Sequence, residues 1–203
     1  KDAIYGTSGA DKQKGTSGDD VLIGSKGADV LDGGKGRDTV SYEKSAKGVS
    51  VDLDKSKQSS QSGDAGKDQL KSIENLWGSD HADRFYGDEN DNLLAGGKGN
   101  DLLEGDKGND TLIGGFGNDT LEGGKGEDVF LFTAGGGKDV VKDFSAKNDD
   151  VLAFVDVPGV DSAADVLAAA KQVGSNVVIT LGDDVITLQK VSLKDLDDSV
   201  FVY

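Results

Sequence analysis

The chain has 203 residues, with 38 Asp and Glu against 22 Lys and Arg, a formal charge of −16, one Pro, and no Cys or Met. Disulfide scaffolds, cysteine zinc sites and thiol chemistry are excluded, and the negative excess repels nucleic acid and anionic lipid while it attracts cations. No stretch nears the roughly 18 consecutive apolar residues of a membrane helix, so no membrane span is expected. The opening Lys1-Asp2-Ala3, without Met or a hydrophobic signal region, predicts a fragment or a processed product.

Glycine, at 31 residues, is about twice its usual ~7% share, and Asp outnumbers Glu by 32 to 6. A merely solvating acidic surface would use Glu freely, whereas Asp with Gly means carboxylates on short stems in tight turns. A nine-residue period explains both counts. It starts at Gly6 and runs in four units to Ser41, breaks for 36 residues, and resumes in phase as six units from Gly78 to Leu131. The first position is Gly in all ten units. The fourth is Gly in eight, with His81 and Asn90 as exceptions, which predicts a left-handed backbone there, since Asn and His are enriched at positive φ.

The sixth position keeps a side-chain oxygen in every unit: Asp11, Asp20, Asp29, Asp38, Asp83, Asn92, Asp101, Asp110, Asp119 and Asp128. The eighth is apolar in nine units and Gln13 in the first, while the seventh and ninth mix Thr, Lys, Asp, Glu and apolar residues. Alternation over three residues after a six-residue turn is a strand signal and too short for a helix. The chain is predicted to coil into a roll of short parallel strands, all-β in class, with the eighth position pointing inward.

The unit reads GGxGxDxUx, clearest at Gly96–Glu104 and Gly114–Glu122. It resembles the repeats-in-toxin (RTX) family of secreted calcium-binding proteins, whose nonapeptides form a parallel β-roll. With two units per turn of the roll, the resemblance implies that each loop stacks on the loop eighteen residues away, with an ion between them. The stacked pairs are then Asp11/Asp29, Asp20/Asp38, Asp83/Asp101, Asn92/Asp110, Asp101/Asp119 and Asp110/Asp128. Calcium takes six to eight oxygens, from carboxylates and unobstructed carbonyls. The expected carbonyl donors are Gly15, Gly18, Gly24, Gly27, Gly33, Gly34, Gly36, Gly96, Gly97, Gly99, Gly105, Gly108, Gly114, Gly115, Gly117, Gly123, Gly124 and Gly126. About six to eight Ca2+ ions are expected; six would change the charge from −16 to −4. Without them, adjacent carboxylates repel by on the order of a few kcal/mol per close pair, so the metal-free repeats are expected to be expanded or unfolded. Asn92 and the first unit mark the weakest sites.

The insert 42–77 carries strand-like ends, Val49–Leu53 and Leu70–Trp77, around a polar surface loop, Lys55–Lys67. Its SIENL-type segment, Ser72–Leu76, is similar to inserts leading back into repeats in RTX proteins. Trp77 reads as a core cap in preference to a carbohydrate-stacking aromatic. Beyond the repeat region, taken as 1–131, Asp139, Asp143, Asp149 and Asp150 form an acidic loop context that offers a further ion site or a solvated turn. Apolar residues at 166, 167, 170 and 173 predict a helix over Ser162–Val173, capped by Ser162 or Asp161. Val177–Leu181 and Val185–Leu188 predict a hairpin around Gly182-Asp183-Asp184. Region 132–203 is expected to cap the roll, and its Asp197–Tyr203 tail is similar to the acidic-then-hydrophobic ends of type I secretion substrates. The resemblance thus implies a secreted bacterial module that folds on extracellular calcium and engages the type I secretion machinery. The alternative is an accessory module for an alginate-like polysaccharide or a cell surface. No HExxH motif, nucleophile elbow or Cys is present, and no enzyme is expected in this chain itself, although family relatives carry catalytic domains upstream.

Overall fold

The computed structural model describes residues 3–54 and 62–203; Lys1, Asp2 and the 55–61 part of the expected surface loop lie outside the described residues. Each nonapeptide closes a six-residue turn and then runs three residues as a strand, and strands eighteen residues apart pair in parallel. This places alternate units on opposite walls of a flattened parallel roll.

One wall is a single nine-stranded sheet. It runs Ala3–Tyr5, Val21–Ile23, Thr39–Ser41, Asn75–Trp77, Leu93–Lys98, Thr111–Phe116, Val129–Thr133, Val151–Val155 and Phe201–Val202. It passes without a break from the first repeat block through the insert into the second, so the two blocks form one roll. The opposite wall is divided. Lys12–Lys14, Val30–Asp32 and Gln69–Lys71 make a three-stranded sheet, and Ser50–Asp52 starts an eight-stranded sheet through Arg84–Tyr86, Leu102–Glu104, Thr120–Glu122, Lys138–Val141 and Asp184–Leu188. The insert therefore crosses over: Ser50–Asp52 leaves the first block to pair with Arg84–Tyr86, and Gln69–Lys71, later in the chain, returns to pair with Val30–Asp32.

The eighth position fills the space between the walls. Leu22, Leu31, Val40, Leu76, Phe85, Leu94, Leu103, Leu112, Leu121 and Phe130 are fully buried, each contributing about 1.5–3 kcal/mol of hydrophobic stabilisation. Gln13 occupies the same row; its Nε2 donates to the Ile23 carbonyl at 3.0 Å, and its Oε1 is buried without a partner among the described residues. The seventh and ninth positions sort by wall. On the nine-stranded sheet they are Val21/Ile23, Leu93/Ala95, Thr111/Ile113 and Val129/Leu131, without charge; on the other wall they include Lys12, Lys14, Asp32, Arg84, Glu104 and Glu122.

Two expectations about the insert and the C-terminal region need correction. Trp77 is not a core cap: it occupies a ninth position, 37% exposed on the outer face, while Leu76 fills the core at that rung. The helix is shorter than its apolar stripe suggested, Ala163–Ala169, because Ala170 turns to extended geometry and Ala170–Val173 pairs antiparallel with Asn176–Leu181. Val173 is consequently exposed. Ser162 stands at the N-cap but makes no cap bond to the backbone; its hydroxyl donates to Asp165 Oδ2 at 2.7 Å. The hairpin forms as expected, Asn176–Leu181 against Asp184–Leu188. Beyond residue 131 both walls continue, through Val151–Val155 and Phe201–Val202 on one side and Lys138–Val141 and Asp184–Leu188 on the other. Among the described residues no helix is long and apolar enough to cross a membrane.

Candidate metal centre

The turns stack along both edges of the roll, and the sixth-position side chains form two ladders. In each, the backbone N–H of one rung donates to a carboxylate oxygen of the next. Asp11 donates to Asp29 at 2.9 Å, Asp20 to Asp38 at 2.8 Å, Asp83 to Asp101 at 2.7 Å, Asn92 to Asp110 at 2.7 Å, Asp101 to Asp119 at 2.8 Å and Asp110 to Asp128 at 2.9 Å. All six of the pairs expected from the sequence are thus adjacent.

The ladders run further than the nonapeptides. Asp29 donates to Asp68 at 2.9 Å, Asp38 to Glu74 Oε2 at 2.8 Å, Asp119 to Asp139 at 3.0 Å and Asp128 to Asp150 at 3.2 Å. Asp68 was missed because its unit, residues 63–71, keeps Gly63 and Gly66 but stands out of phase with the nine-residue period, and Glu74 because Gln69 and Ser72 stand where the glycines would be. The signal that survives is a carboxylate two residues before a buried Leu, in Asp68-Gln69-Leu70 and Glu74-Asn75-Leu76. Of the acidic residues past the repeats, Asp139 and Asp150 are ladder members. Asp143 instead closes the end of a stack, accepting the amides of Gly123 (3.0 Å) and Gly124 (2.8 Å), and Asp184 does the same for Gly135 (2.8 Å) and Gly137 (2.9 Å). Asp149 has φ 62 and ends a short 3-10 turn, Ala146–Asn148.

Nine of the ten turns are of two kinds, and the tenth combines Ser25, which is not left-handed, with Gly27 at φ 151. In one, the second and fourth residues are both left-handed: Gly34/Gly36, Gly97/Gly99, Asp106/Gly108, Gly115/Gly117 and Gly124/Gly126. These turns bond to their neighbours, as in Lys98 N–H to Ser79 O (3.1 Å), Gly99 N–H to Phe116 O (2.8 Å) and Lys125 N–H to Asp106 O (2.9 Å). In the other kind the second residue is Thr7, Thr16, Ser79 or Asp88 and the turn folds on itself. The amide of Thr7 donates to its own Asp11 at 2.6 Å and that of Ser79 to Asp83 at 2.6 Å, Thr16 likewise reaches Asp20, and Asp88 N–H reaches Asn92 Oδ1 at 2.9 Å. This corrects the expectation of a left-handed fourth position for Gly9 and Gly18 as well as for His81 and Asn90, none of which is left-handed. Their amides donate to the second-position side chains, Thr7 Oγ1 at 3.2 Å, Thr16 Oγ1 at 3.3 Å, Ser79 Oγ at 3.1 Å and Asp88 Oδ1 at 2.9 Å, which replaces the left-handed geometry.

The two kinds differ at the carboxylate. Asp101, Asp110 and Asp119 each bury an Oδ2 that has no hydrogen-bond partner among the described residues. Burial pushes Asp101 and Asp110 up to about 7, the next carboxylates in the ladder adding to the shift. Burial also raises Asp139 to about 7, and Asp68 and Asp150 to about 6. Such orphaned oxygens are costly unless a proton or a cation takes them. Carbonyls face the same spaces: a methyl group on Gly96 would meet Asp101 Oδ2 and, at 2.7 Å, the carbonyl oxygen of Gly114, and one on Gly105 would meet Asp110 Oδ2 and, at 2.5 Å, the carbonyl of Gly123. The carbonyls of Gly97, Gly99 and Gly108 likewise face Gly115, Gly117 and Gly126 of the following turns. Gly24, by contrast, lies against the Tyr42 ring. Among the described residues no three His, Cys, Asp or Glu side chains are grouped to hold a metal by themselves. A few carboxylate oxygens completed by backbone carbonyls suit a hard, irregularly coordinated cation such as calcium.

A family model agrees with this chemistry. The family model for the RTX calcium-binding nonapeptide repeat (4 copies) matches residues 5–40, 77–112, 95–130 and 104–141. No curated protein sequence matches the chain. Among solved structures, the extracellular lipase LipA from Serratia marcescens is similar, with 22% identity and a TM-score of 0.49 over all of this chain and 40% of that one. The chain thus spans less than half of that lipase.

Proposed function

Because this chain belongs to the RTX family of calcium-binding nonapeptide-repeat proteins, we propose that its calcium binding drives its folding outside the cell and so serves export of the protein that contains it. The observation that carries the reading is the set of orphaned Oδ2 atoms on Asp101, Asp110 and Asp119, the first two beside glycine carbonyls. A ligand cage made by stacking exists only in the folded roll, so binding energy becomes folding energy. Extracellular calcium modules work at about 10⁻⁴–10⁻³ M, well above the range of cytosolic sensors.

The tail supports the same order of events. Phe201 and Val202 pair with Leu152 and Ala153 in the nine-stranded sheet, and Phe201 is buried. A secretion machinery that reads this tail therefore meets it before the roll closes. Region 132–203 acts in this reading as both the cap of the roll and the export signal. The reading is tested by far-UV circular dichroism during a calcium titration with magnesium as control. A cooperative gain of β signal at about 0.1–1 mM calcium alone is expected; a fully ordered chain that ignores calcium would sink it.

A second reading, as an accessory module for polysaccharide or a cell surface, is favoured by Trp77 and Tyr5, both exposed in the ninth-position row of the nine-stranded sheet, with Lys44 Nζ 4.9 Å from the Tyr5 ring centre. Binding of the calcium-loaded protein to alginate, lost in Trp77→Ala, would establish it.

A further inference from the structure

Resting on the calcium reading above, we propose that the sixth-position residues of the self-closed turns are locks that replace an ion, and that calcium goes to the open turns, those around Asp101, Asp110 and Asp119 among them. The distinction lies in what occupies the second oxygen. Thr7 donates both its amide and, at 2.9 Å, its hydroxyl to Asp11 Oδ2, and Thr16 Oγ1 adds 2.9 Å to its amide bond on Asp20. Ser79 Oγ lies 3.1 Å from both oxygens of Asp83.

The first block continues the pattern beyond its leading turns. Ser25 Oγ reaches Asp29 Oδ2 at 3.2 Å, and the buried Tyr42 hydroxyl donates to Asp68 Oδ2 at 3.0 Å. The whole stack Asp11–Asp29–Asp68 is thus closed by three hydroxyls in three consecutive rungs. Asn92 supplies independent support: it sits in a self-closed turn, its Oδ1 takes the Asp88 amide, and it performs the closure with no charge. A ligand position gives up a full negative charge on such a change, which weakens its hold on a divalent ion, whereas a hydrogen-bond acceptor loses little. The orphaned oxygens, by contrast, belong to three turns whose second residue, Gly97, Asp106 or Gly115, is left-handed and does not fold back.

The experiment counts bound calcium on the purified chain by calorimetry and equilibrium dialysis. Asp11→Asn and Asp20→Asn, each leaving an amide oxygen for the threonine donors as Asn92 does, are expected to keep the wild-type ion number. Asp101→Asn and Asp119→Asn are expected to lose at least one ion each, or at least tenfold in calcium affinity. Loss of an ion in Asp11→Asn or Asp20→Asn would overturn the proposal, and so would unchanged binding in both Asp101→Asn and Asp119→Asn. Where the latter two fail to fold, the ion number of Asp20→Asn decides alone. A wild-type chain that binds no calcium sinks the calcium reading itself, a different outcome from either.

Discussion

A carboxylate with one oxygen spent on a backbone amide and the other facing carbonyls is unstable as a bare anion, and Asp101 and Asp110 show the consequence. Burial holds both at about 7, above the ~3.9 of an unfolded Asp. A raised folded value means that the metal-free roll is favoured while the groups are protonated, below about pH 4, and loses that stability as the pH rises through about 7. In chelator, the ordered β signal is therefore expected to decline between pH 4.5 and pH 8, while the gain from added calcium grows over the same interval, since calcium takes the ionised form. A pH-independent signal in chelator would contradict this. Gln13 is the other residue out of balance, a polar side chain in an apolar row with a buried, unpartnered Oε1. Gln13→Leu gives up one hydrogen bond and removes that penalty, and is expected to stabilise the calcium-loaded chain by on the order of 1 kcal/mol, read as a higher Tm.

At the scale of the rung, packing and turn geometry impose separate demands. Leu112 lies fully buried between Leu94 and Phe130 of its neighbours, so Leu112→Ala is expected to cost about 2–5 kcal/mol in calcium-saturated denaturation. Gly117 has φ 141, and an added Cβ would run into the backbone carbonyl of Gly99. Gly117→Ala is expected to weaken calcium binding without altering the core, visible as a shifted calcium midpoint with an unchanged end-point spectrum. The rung is also the unit that the sequence states most plainly. A nine-residue repeat with one apolar position is enough to fix turn, strand and inward side chain, and it locates every six-to-six contact in the two ladders. What it leaves out follows from physics outside the repeat. Trp77 follows the buried Leu76 and so points outward by strand alternation, which an isolated aromatic does not announce. Glu74 keeps the ladder without the glycines, its rung held by the Asp38 amide, whereas Asp68 keeps it in a unit that has Gly63 and Gly66 but is out of phase with the period. The end of the helix at Ala169 is set by a strand partner, Asn176–Leu181, that local periodicity does not see.

For the whole molecule the decisive quantity is the charge of −16, much of it lined up on two edges of one roll. Ladder neighbours are one strand spacing apart, about 4.8 Å, well inside the ~8 Å Debye length of physiological salt, so screening alone does not quiet them. Removing calcium at low ionic strength is expected to expand the chain toward the radius of gyration of about 48 Å anticipated for an unfolded chain of this length. Small-angle scattering with and without chelator measures this directly, and a compact metal-free particle would contradict it. Because the nine-stranded sheet runs through both blocks, loss of the second block's order removes a neighbour from the first, and both are expected to melt in one transition.

The crossing of the insert gives this roll a property that a simple coil of repeats lacks. A chain severed between residues 54 and 62 yields an amino-terminal piece that holds Ser50–Asp52 and a carboxy-terminal piece that holds Gln69–Lys71, and each of those strands belongs to the sheet of the other piece. The two fragments are reciprocally threaded, like partners that have exchanged an arm, so nicked protein should remain a single particle and separately made halves should find and complete each other.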